Sequence, residues 1–126
     1  MLRVLIADDS LGFGALAQAW LKGSDEIEVV GAAHTAEHAI ETIRETAPDV
    51  VVLDRLLPQP EDSEQVLDHV RRTLPETAVL LVSGMPDDML AAEARAAGAD
   101  HYVSKAANPE TLLAAVRAAA AARARR

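Results

Sequence analysis

The sequence predicts an α/β domain built on a parallel sheet that helices cover on both faces. Five short apolar or β-branched segments alternate with five longer stretches of helical spacing, and such alternation implies parallel strands joined by helical crossovers. The short segments are continuously apolar rather than alternating with polar residues, which is typical of strands buried on both faces. At 126 residues, the chain is long enough for one such domain with its own core.

The five predicted strands are short and rich in aliphatic residues. In chain order they are RVLIA at 3–7, IEVVGAA at 27–33, VVVL at 50–53, AVLLVS at 78–83 and HYV at 101–103. Valine and isoleucine, which dominate several of them, favour strands.

The five predicted helices follow these strands and are marked by apolar residues three or four positions apart. The residues expected on their inner faces are, helix by helix, Leu16, Ala19 and Trp20; Ala36, Ala39, Ile40 and Ile43; Val66, Leu67 and Val70; Met89, Leu90, Glu93 and Ala97; and Leu112, Leu113, Val116 and Ala120. Pro48, Pro75 and Gly98 interrupt the helical stretches. At 108–110, Asn-Pro-Glu provides an N-cap, a first-turn proline and a first-turn acid.

The composition and the net charge limit which kinds of partner and which cellular compartment are expected for this chain. The formal net charge of −8 and the aromatic content of 2% disfavour nucleic acid or an anionic membrane as a direct partner. The absence of cysteine excludes disulfides and fits a reducing compartment. No apolar run approaches the roughly 20 residues that span a bilayer. We predict a cytoplasmic single domain over residues 1–126, whose tail from residue 122 is a solvated helix end or the start of a linker.

Polar side chains follow four of the five predicted strands. Asp8 and Asp9 follow the first, Asp54 follows the third, Ser83 ends the fourth, and Lys105 comes just after the fifth. Each of these residues alone is more often a solvated turn, a helix cap or a surface side chain. In an open α/β sheet, however, ligands bind at the carboxyl ends of the strands, so the joint placement of these residues predicts one site at that edge.

The chemistry of this group of side chains fits phosphoryl transfer. Three carboxylates in one pocket repel each other unless a cation lies between them, and hard oxygen ligands favour Mg²⁺. An aspartate beside Mg²⁺ and a lysine can attack phosphorus and become an aspartyl phosphate. The cation, the lysine and the serine hydroxyl would then hold the phosphoryl oxygens.

Four motifs give the chain a specific resemblance to a known family. VLIADDS, VVVLDRLLP, LLVSG and AGADHYVSK occur in this order, and together they resemble the receiver domain of bacterial two-component response regulators, over residues 2–121. The resemblance implies a flavodoxin-like (βα)5 fold, a three-layer sandwich whose parallel sheet has the strand order 2-1-3-4-5. The stretch AGADHYVSKAANPETL is similar to the NarL/LuxR-type subfamily, whose members usually carry a helix-turn-helix output domain after the receiver.

The resemblance also implies a phosphoacceptor and a set of Mg²⁺ ligands. Asp54 matches the phosphoacceptor and is itself a ligand. Asp9 would bind Mg²⁺ directly and Asp8 mainly through water, while the backbone carbonyl of Leu56 would be the third protein ligand. Ser83 would hydrogen-bond the phosphoryl group, and Lys105 would pair with it.

The same resemblance implies a donor, a switch and a partner surface. The donor is a sensor histidine kinase, and the domain is no enzyme, since it promotes only its own phosphorylation and dephosphorylation. Tyr102 matches the family's aromatic switch residue. In the family, the fourth helix, fifth strand and fifth helix commonly form the active homodimer or dock the output domain, which alone contacts DNA. The exposed charges expected on this surface are Asp87, Asp88, Arg95, Asp100 and Arg117.

The chain departs from the family pattern beside the predicted metal site. Gln59-Pro60-Glu61-Asp62 stands where the family commonly has Gly-Met-Asp-Gly, and Ala106 stands where many receivers have proline. The missing glycine removes a position that tolerates positive φ, and the proline stiffens the loop. We therefore expect the geometry of this loop to differ from the family pattern. Leu56 and Met85 are apolar at positions that flank the phosphoryl group in the family, where they should affect water access.

Other functions share parts of this pattern. An aspartate-nucleophile phosphohydrolase of haloacid-dehalogenase type has an Asp-x-Asp motif, but here Asp54 is followed by Arg55 and Leu56. An unphosphorylated interaction module is disfavoured because all five site residues are present. A flavodoxin-like cofactor carrier is disfavoured because DDSLGFG, after the first strand, is too acidic to hold a phosphate. A stand-alone receiver that signals through protein contacts remains an alternative to a receiver with an output domain.

Overall fold

Strands and helices alternate along the chain, as the sequence predicts. The computed structural model describes residues 1–126, apart from the side chain of Leu11. The strands are β1 (Leu2–Ala7), β2 (Ile27–Ala33), β3 (Val50–Asp54), β4 (Ala78–Ser83) and β5 (His101–Ser104). The helices are α1 (Leu11–Lys22), α2 (Ala36–Thr46), α3 (Pro60–Thr73), α4 (Asp87–Ala97) and α5 (Pro109–Ala124).

The five strands form one parallel sheet in the order β2-β1-β3-β4-β5. This is the flavodoxin-like order, so the predicted fold is confirmed. From β1 the chain moves outward to β2 and then returns past β1 to β3, so that the direction of winding reverses between β1 and β3. In this class of fold, such a reversal opens a crevice beyond the carboxyl ends of the two strands, and ligands bind there.

Helices on both faces complete the three-layer sandwich. α2, α3 and α4 pack over a core that includes Leu53 and Leu81, while α1 and α5 pack over a core that includes Val52 and Leu80. Neighbouring residues of a strand point to opposite faces, so both faces of the central strands need apolar side chains. Among the described residues, no helix combines the length and the apolar composition that crossing a bilayer requires.

The inner faces predicted for α2, α3 and α5 are confirmed. The buried side chains are Ala36, Ala39 and Ile43 in α2, Val66, Leu67 and Val70 in α3, and Leu112 and Val116 in α5. The partly buried ones are Ile40, Leu113 and Ala120.

The inner face predicted for α1 is wrong in part. Leu16 is 50% exposed, Ala19 is exposed and Trp20 is half-buried, whereas the side chains that pack inward are Phe13, Ala17 and Leu21. Alanine and leucine occur on several sides of this helix, so apolar spacing alone does not single out one face.

The inner face predicted for α4 is also wrong in part. Leu90 and Ala94 are buried, and Glu93 and Ala97 are partly buried, but Met89 is 56% exposed. With two buried side chains, α4 rests on the sheet over a narrow strip. A narrow strip means that few apolar contacts hold this helix in place.

Asp100 is buried at the amino-terminal edge of the sheet, so its predicted exposure is wrong. Its Oδ2 accepts hydrogen bonds from the Val79 N–H at 2.8 Å and from Arg71 at 2.9 Å. Its Oδ1 accepts from Arg123 at 2.9 Å, and Arg126 lies 3.8 Å away. Burial raises the pKa of this carboxyl, but the Val79 N–H and the arginines outweigh burial, so the pKa lies below its ordinary value.

Arg117 is exposed, but it faces away from the expected partner surface. Its Nε and Nη2 donate to the two carboxylate oxygens of Glu26 at 2.8 and 2.7 Å. Since Glu26 lies in the loop between α1 and β2, this bidentate pair ties α5 to that loop. The exposed charges of α4 are as predicted, namely Asp87, Asp88 and Arg95.

Candidate functional site

The carboxyl ends of four strands deliver polar side chains to one pocket. Asp8 directly follows β1, Asp54 is the last residue of β3 and Ser83 is the last residue of β4. All three are buried, and Lys105, just after β5, is half-buried. Because the strands that carry them are packed on both faces, the backbone holds these side chains in fixed positions.

Three carboxylates meet in this pocket. One oxygen from each of Asp8, Asp9 and Asp54 lies within 4.8 Å of the others. Asp9 is exposed, whereas the other two are buried. The predicted convergence of the first and third strand ends is therefore present, and it gives a cluster of hard oxygen atoms of the kind that Mg²⁺ prefers.

The two oxygens of Asp8 have different surroundings. Oδ1 accepts hydrogen bonds from the N–H and the hydroxyl of Ser10 at 2.7 and 2.6 Å. Oδ2 is buried, accepts no hydrogen bond, and lies 3.4 Å from Nζ of Lys105. A buried carboxylate oxygen without a hydrogen bond is costly, so the donor set has capacity for one more cation.

Lys105 supplies the positive charge of the pocket. Its Nζ donates to Oδ2 of Asp54 at 3.0 Å and lies 5.7 Å from the centre of the Phe13 ring. Burial lowers the pKa of this ammonium, but the bond and the attraction to Asp54, together with Asp8, raise it overall. Lys105 is therefore a permanent cation that faces the oxygens of the carboxylate cluster.

Burial dominates the electrostatics of Asp54. It raises the pKa of this carboxyl to about 6, although the hydrogen bonds from Lys105 and from the Leu56 N–H act in the opposite direction. The N–H of Leu56 donates to Oδ1 at 3.1 Å. The nearby charge of Asp8 raises the pKa further. Asp54 is thus a carboxylate whose charge is only partly compensated by its neighbours.

Ser83 and Tyr102 lie on the two strands at the α4 side of the pocket. The Ser83 hydroxyl accepts a hydrogen bond from the Met85 N–H at 3.2 Å, and its carbonyl accepts from the Lys105 N–H at 2.9 Å. Tyr102 is half-buried against the core under α2, α3 and α4. Ser83 thus begins the loop that leads into α4, and the Tyr102 ring lies on the neighbouring edge strand.

Residues 59–62, where the sequence differs from the family pattern, form the start of α3. Pro60 is the first residue of the helix, the Gln59 N–H donates to the Asp62 carboxylate at 3.1 Å, and the Asp62 N–H donates to the Gln59 carbonyl at 3.1 Å. Leu56, at the pocket mouth, is 47% exposed. The first-turn proline and the reciprocal cap explain why this stretch starts a helix without glycine.

Sequence reasoning missed three side chains around the pocket. The hydroxyl of Ser63, in the first turns of α3, donates to the backbone carbonyl of Asp54. His34 places Nδ1 3.0 Å from the carbonyl of Asp8, and Arg55 pairs with Glu93 of α4. No short-range pattern marks these contacts, because each joins residues that lie in different elements or loops and are nine or more positions apart in the chain.

The fold and the pocket define a doubly wound α/β domain with an acidic site at its topological switch point. Residues 4–117 match the family described as response regulator receiver domain. The chain belongs to this family, so the predicted membership is confirmed.

The most similar curated relatives include a transcriptional regulatory protein and a response regulator. The transcriptional regulatory protein YhcZ of Bacillus subtilis is 31% identical over 112 residues, which cover 89% of this chain and 52% of YhcZ. The response regulator protein VraR of Staphylococcus aureus is 28% identical over 116 residues, which cover 92% of this chain and 55% of VraR. The chain thus spans about half the length of these curated relatives.

Solved structures give the same subfamily. The receiver domain of the NarL response regulator from Mycobacterium tuberculosis superposes with a TM-score of 0.84 at 31% identity, covering 95% of this chain and 96% of that one. A LuxR-family response regulator from Aurantimonas superposes with a TM-score of 0.84 at 29% identity, covering 96% and 86%. The similarity to the NarL/LuxR type is therefore confirmed.

Proposed function

We propose that this domain accepts a phosphoryl group on Asp54 from a sensor histidine kinase in the cytoplasm. The observation that carries the proposal is the contact of Lys105 with Asp54 at 3.0 Å, inside a cluster of three carboxylates. A buried strand end that presents a carboxylate to a lysine and to a cation site is suited to attack phosphorus.

In this reaction, an oxygen of Asp54 attacks the phosphorus of a phosphohistidine. A new P–O bond forms as the P–N bond breaks, and the electron pair of that bond returns to the imidazole of the kinase. Lys105 would neutralise one phosphoryl oxygen, and the hydroxyl of Ser83 would donate a hydrogen bond to another. We propose that the loop that begins at Ser83 moves toward Asp54 in this step.

Mg²⁺ fits the donor set of the pocket. Asp8, Asp9 and Asp54, with the carbonyl of Leu56, are the groups that would hold it. Oδ2 of Asp8, which is buried and accepts no hydrogen bond, supports this assignment. When bound, the ion neutralises charge on the phosphoryl oxygens. We propose that Asp9 contacts it directly and Asp8 mainly through water.

We further propose that phosphorylation changes the surface formed by α4, β5 and α5, termed here the α4-β5-α5 surface. Movement of Ser83 would free space into which Tyr102 turns, and this would bias two arrangements that already exist. The output would be transcription, through a DNA-binding domain outside this chain, as the relative described as a transcriptional regulatory protein suggests. The alternative output is protein contact by the receiver alone.

The proposal is tested by intact-mass analysis after incubation with acetyl phosphate and Mg²⁺. The wild-type chain should gain one phosphoryl group, and Asp54→Asn should gain none. Asp25→Asn, which changes an exposed carboxylate in the loop before β2, is the matched control and should behave as the wild type. A wild-type chain that stays unmodified, or an Asp54→Asn variant that is modified equally without relocation to Ser83, would contradict the proposal.

A further inference from the structure

Arg55, the residue after the proposed phosphoacceptor, connects β3 to α4. Its backbone N–H donates to the Val82 carbonyl of β4 at 2.7 Å, so its backbone is fixed to the sheet. Its Nε and Nη2 both contact Oε2 of Glu93, at 3.1 and 3.0 Å. Glu93 lies in the middle of α4. The side chain of Arg55 thus spans from the end of the Asp54 strand to the helix next to it.

The environment of this ion pair makes it stronger than an ordinary surface pair. The Arg55 side chain is only 14% exposed and borders a small cavity lined by apolar atoms of Leu53, Leu67 and Leu81. Glu93 is 40% exposed. An ion pair that is shielded on one side is screened less than one in water. Removal of Glu93 would also leave a largely buried guanidinium without its partner.

The guanidinium of Arg55 is not fully satisfied in this arrangement. Nη1 is buried and has no hydrogen-bond partner, although an arginine side chain has five N–H donors to place. Part of the stabilisation by Glu93 is therefore offset by this unpaired group. An arrangement in which α4 moves away and Arg55 regains water is correspondingly less costly.

α4 is held weakly enough for one ion pair to matter. It buries two side chains, Leu90 and Ala94, whereas α3 buries five, and no side chain caps its first turn. Its carboxyl end is fixed, because Arg71 donates to the carbonyl of Gly98 at 3.0 Å. Glu93 lies between this fixed end and the loop that starts at Ser83, so the pair restrains the part of α4 nearer the pocket.

We infer that Arg55 is a positioning residue, whose ion pair with Glu93 holds α4 where it lies without phosphate and so sets how readily the α4-β5-α5 surface changes. The inference rests on the proposed function. A contact made in one state and lost in the other shifts the equilibrium between them, and by linkage it lowers the affinity for any ligand that favours the second state.

Glu93→Gln is the variant that tests the inference, since Glu93 lies outside the pocket. The probe is beryllofluoride with Mg²⁺, titrated while the amide resonances of Gly84 and Tyr102 are recorded by NMR. Loss of the pair should tighten beryllofluoride binding about fivefold. In the absence of the probe, both resonances of Glu93→Gln should already lie partway toward their bound positions, a shift that mere loss of stability does not produce.

Two further variants show whether the effect passes through Arg55. In the Arg55→Met background, Glu93→Gln should not change the affinity, because the pair is already broken. Arg55→Lys, in contrast, keeps a cation for Glu93, so its affinity for beryllofluoride should stay close to the wild-type value. Asp68→Asn is the matched control, because it breaks the exposed Arg72–Asp68 pair within α3 and should leave binding unchanged.

The possible failures are distinguishable. If the wild-type chain binds no beryllofluoride, the proposed function is wrong. If the wild type binds it but Glu93→Gln binds it equally or more weakly, the inference is overturned and the proposed function stands. The inference is also overturned if Glu93→Gln tightens binding by the same factor with methionine at position 55.

Discussion

Two buried carboxylates at opposite edges of the sheet have contrasting surroundings. Asp54 shares its edge with other carboxylates and one lysine, and burial raises its pKa to about 6. Asp100 accepts bonds from two arginines and a backbone N–H, and its pKa is lowered. A buried carboxylate with enough hydrogen-bond donors and cations around it stabilises the fold. A buried carboxylate with too few of them is stabilised when a further cation binds.

Asp100→Asn should destabilise the domain by about 3 kcal/mol at neutral pH. The substitution removes the charge that Arg71 and Arg123 share, and both arginines would be left beside a neutral amide. Urea denaturation followed by circular dichroism measures the loss. The exposed Arg72–Asp68 pair provides the control, and Asp68→Asn should cost at most about 1 kcal/mol.

The loss caused by Asp100→Asn should also depend on pH. Because the folded-state pKa of Asp100 lies below its ordinary value of 3.8, the ionised carboxylate stabilises the fold above that ordinary value. The stabilisation is lost as the pH falls through the folded-state pKa. The difference between wild type and variant should therefore be largest at neutral pH and shrink in acid. A difference that grows in acid would mean that the carboxylate is not stabilised by its donors.

Asp9→Ala should weaken Mg²⁺ binding more than Asp8→Ala does. Asp8 already has one oxygen bonded to Ser10 and the other near Lys105, whereas Asp9 is exposed beside the cluster. We expect a loss of about tenfold in affinity, or about 1.4 kcal/mol, by isothermal titration calorimetry. Asp25→Asn serves as the control for loss of one negative charge. An unchanged affinity in Asp9→Ala would remove Asp9 from the ligand set.

At the scale of elements, α2 approaches the bulged strand β2 closely at Gly31. The pairing of β1 with β2 shifts between Val4 and Leu5, opposite Val29 and Gly31. A Cβ at Gly31 would lie 2.7 Å from Cγ2 of Thr42 on α2. Glycine at this position therefore lets the helix lie against the strand.

Gly31→Ala should destabilise the domain by about 1–3 kcal/mol, because the new methyl group has to displace α2. Thr42→Ser removes the methyl group that would clash and keeps the hydroxyl that donates to the His38 carbonyl at 2.9 Å. In the Thr42→Ser background, Gly31→Ala should cost much less. Urea denaturation of the four proteins gives this comparison, and an equal cost in both backgrounds would place the strain elsewhere.

The positions of the strands could be predicted from the sequence, because the local pattern of apolar residues determines them. Continuous apolar runs fixed the five strands to within one residue at either end, because strands buried on both faces exclude polar residues. The inner face of α1 was not predictable, because Leu16 is as apolar as the buried Leu21. Which of them is buried depends on where the sheet lies.

At the scale of the whole molecule, part of the candidate site could be predicted from the sequence and part could not. Asp8, Asp54 and Lys105 were predictable as a group, because parallel strands bring their carboxyl ends to one edge. The pairs Arg55–Glu93 and Arg123–Asp100 were not, since each depends on how two distant elements pack. Asp100 was therefore predicted on the surface, although arginines from α3 and α5 enclose it.

Beryllofluoride with Mg²⁺ should promote self-association through the α4-β5-α5 surface. Asp87, Asp88 and Arg95 are exposed on α4, and charges of both signs suit a twofold interface in which each patch meets its own copy. Arg95→Glu should weaken the association without changing phosphorylation. Sedimentation velocity with and without the probe measures it.

Arg117→Glu separates this interface from one made by α1 and α5. Arg117 is bonded to Glu26 beside α1, so reversing its charge should disturb only the second interface. If Arg117→Glu abolishes dimers and Arg95→Glu does not, the α1–α5 interface is the correct one. If the mass stays that of a monomer with and without beryllofluoride, neither interface forms a dimer and the prediction of self-association is wrong.

The hydrogen-bonded ion pair between Arg123 and Asp100 has a consequence for biosensor design. It fixes the last turn of α5 at the amino-terminal edge of the sheet, and strands of five to six residues separate that edge from the acidic pocket by roughly 20 Å. A fluorescent protein fused after Arg126 would therefore start from a fixed point far from the pocket. Its brightness would report how much protein a cell holds, whereas a dye placed on α4 would report how much of it is switched.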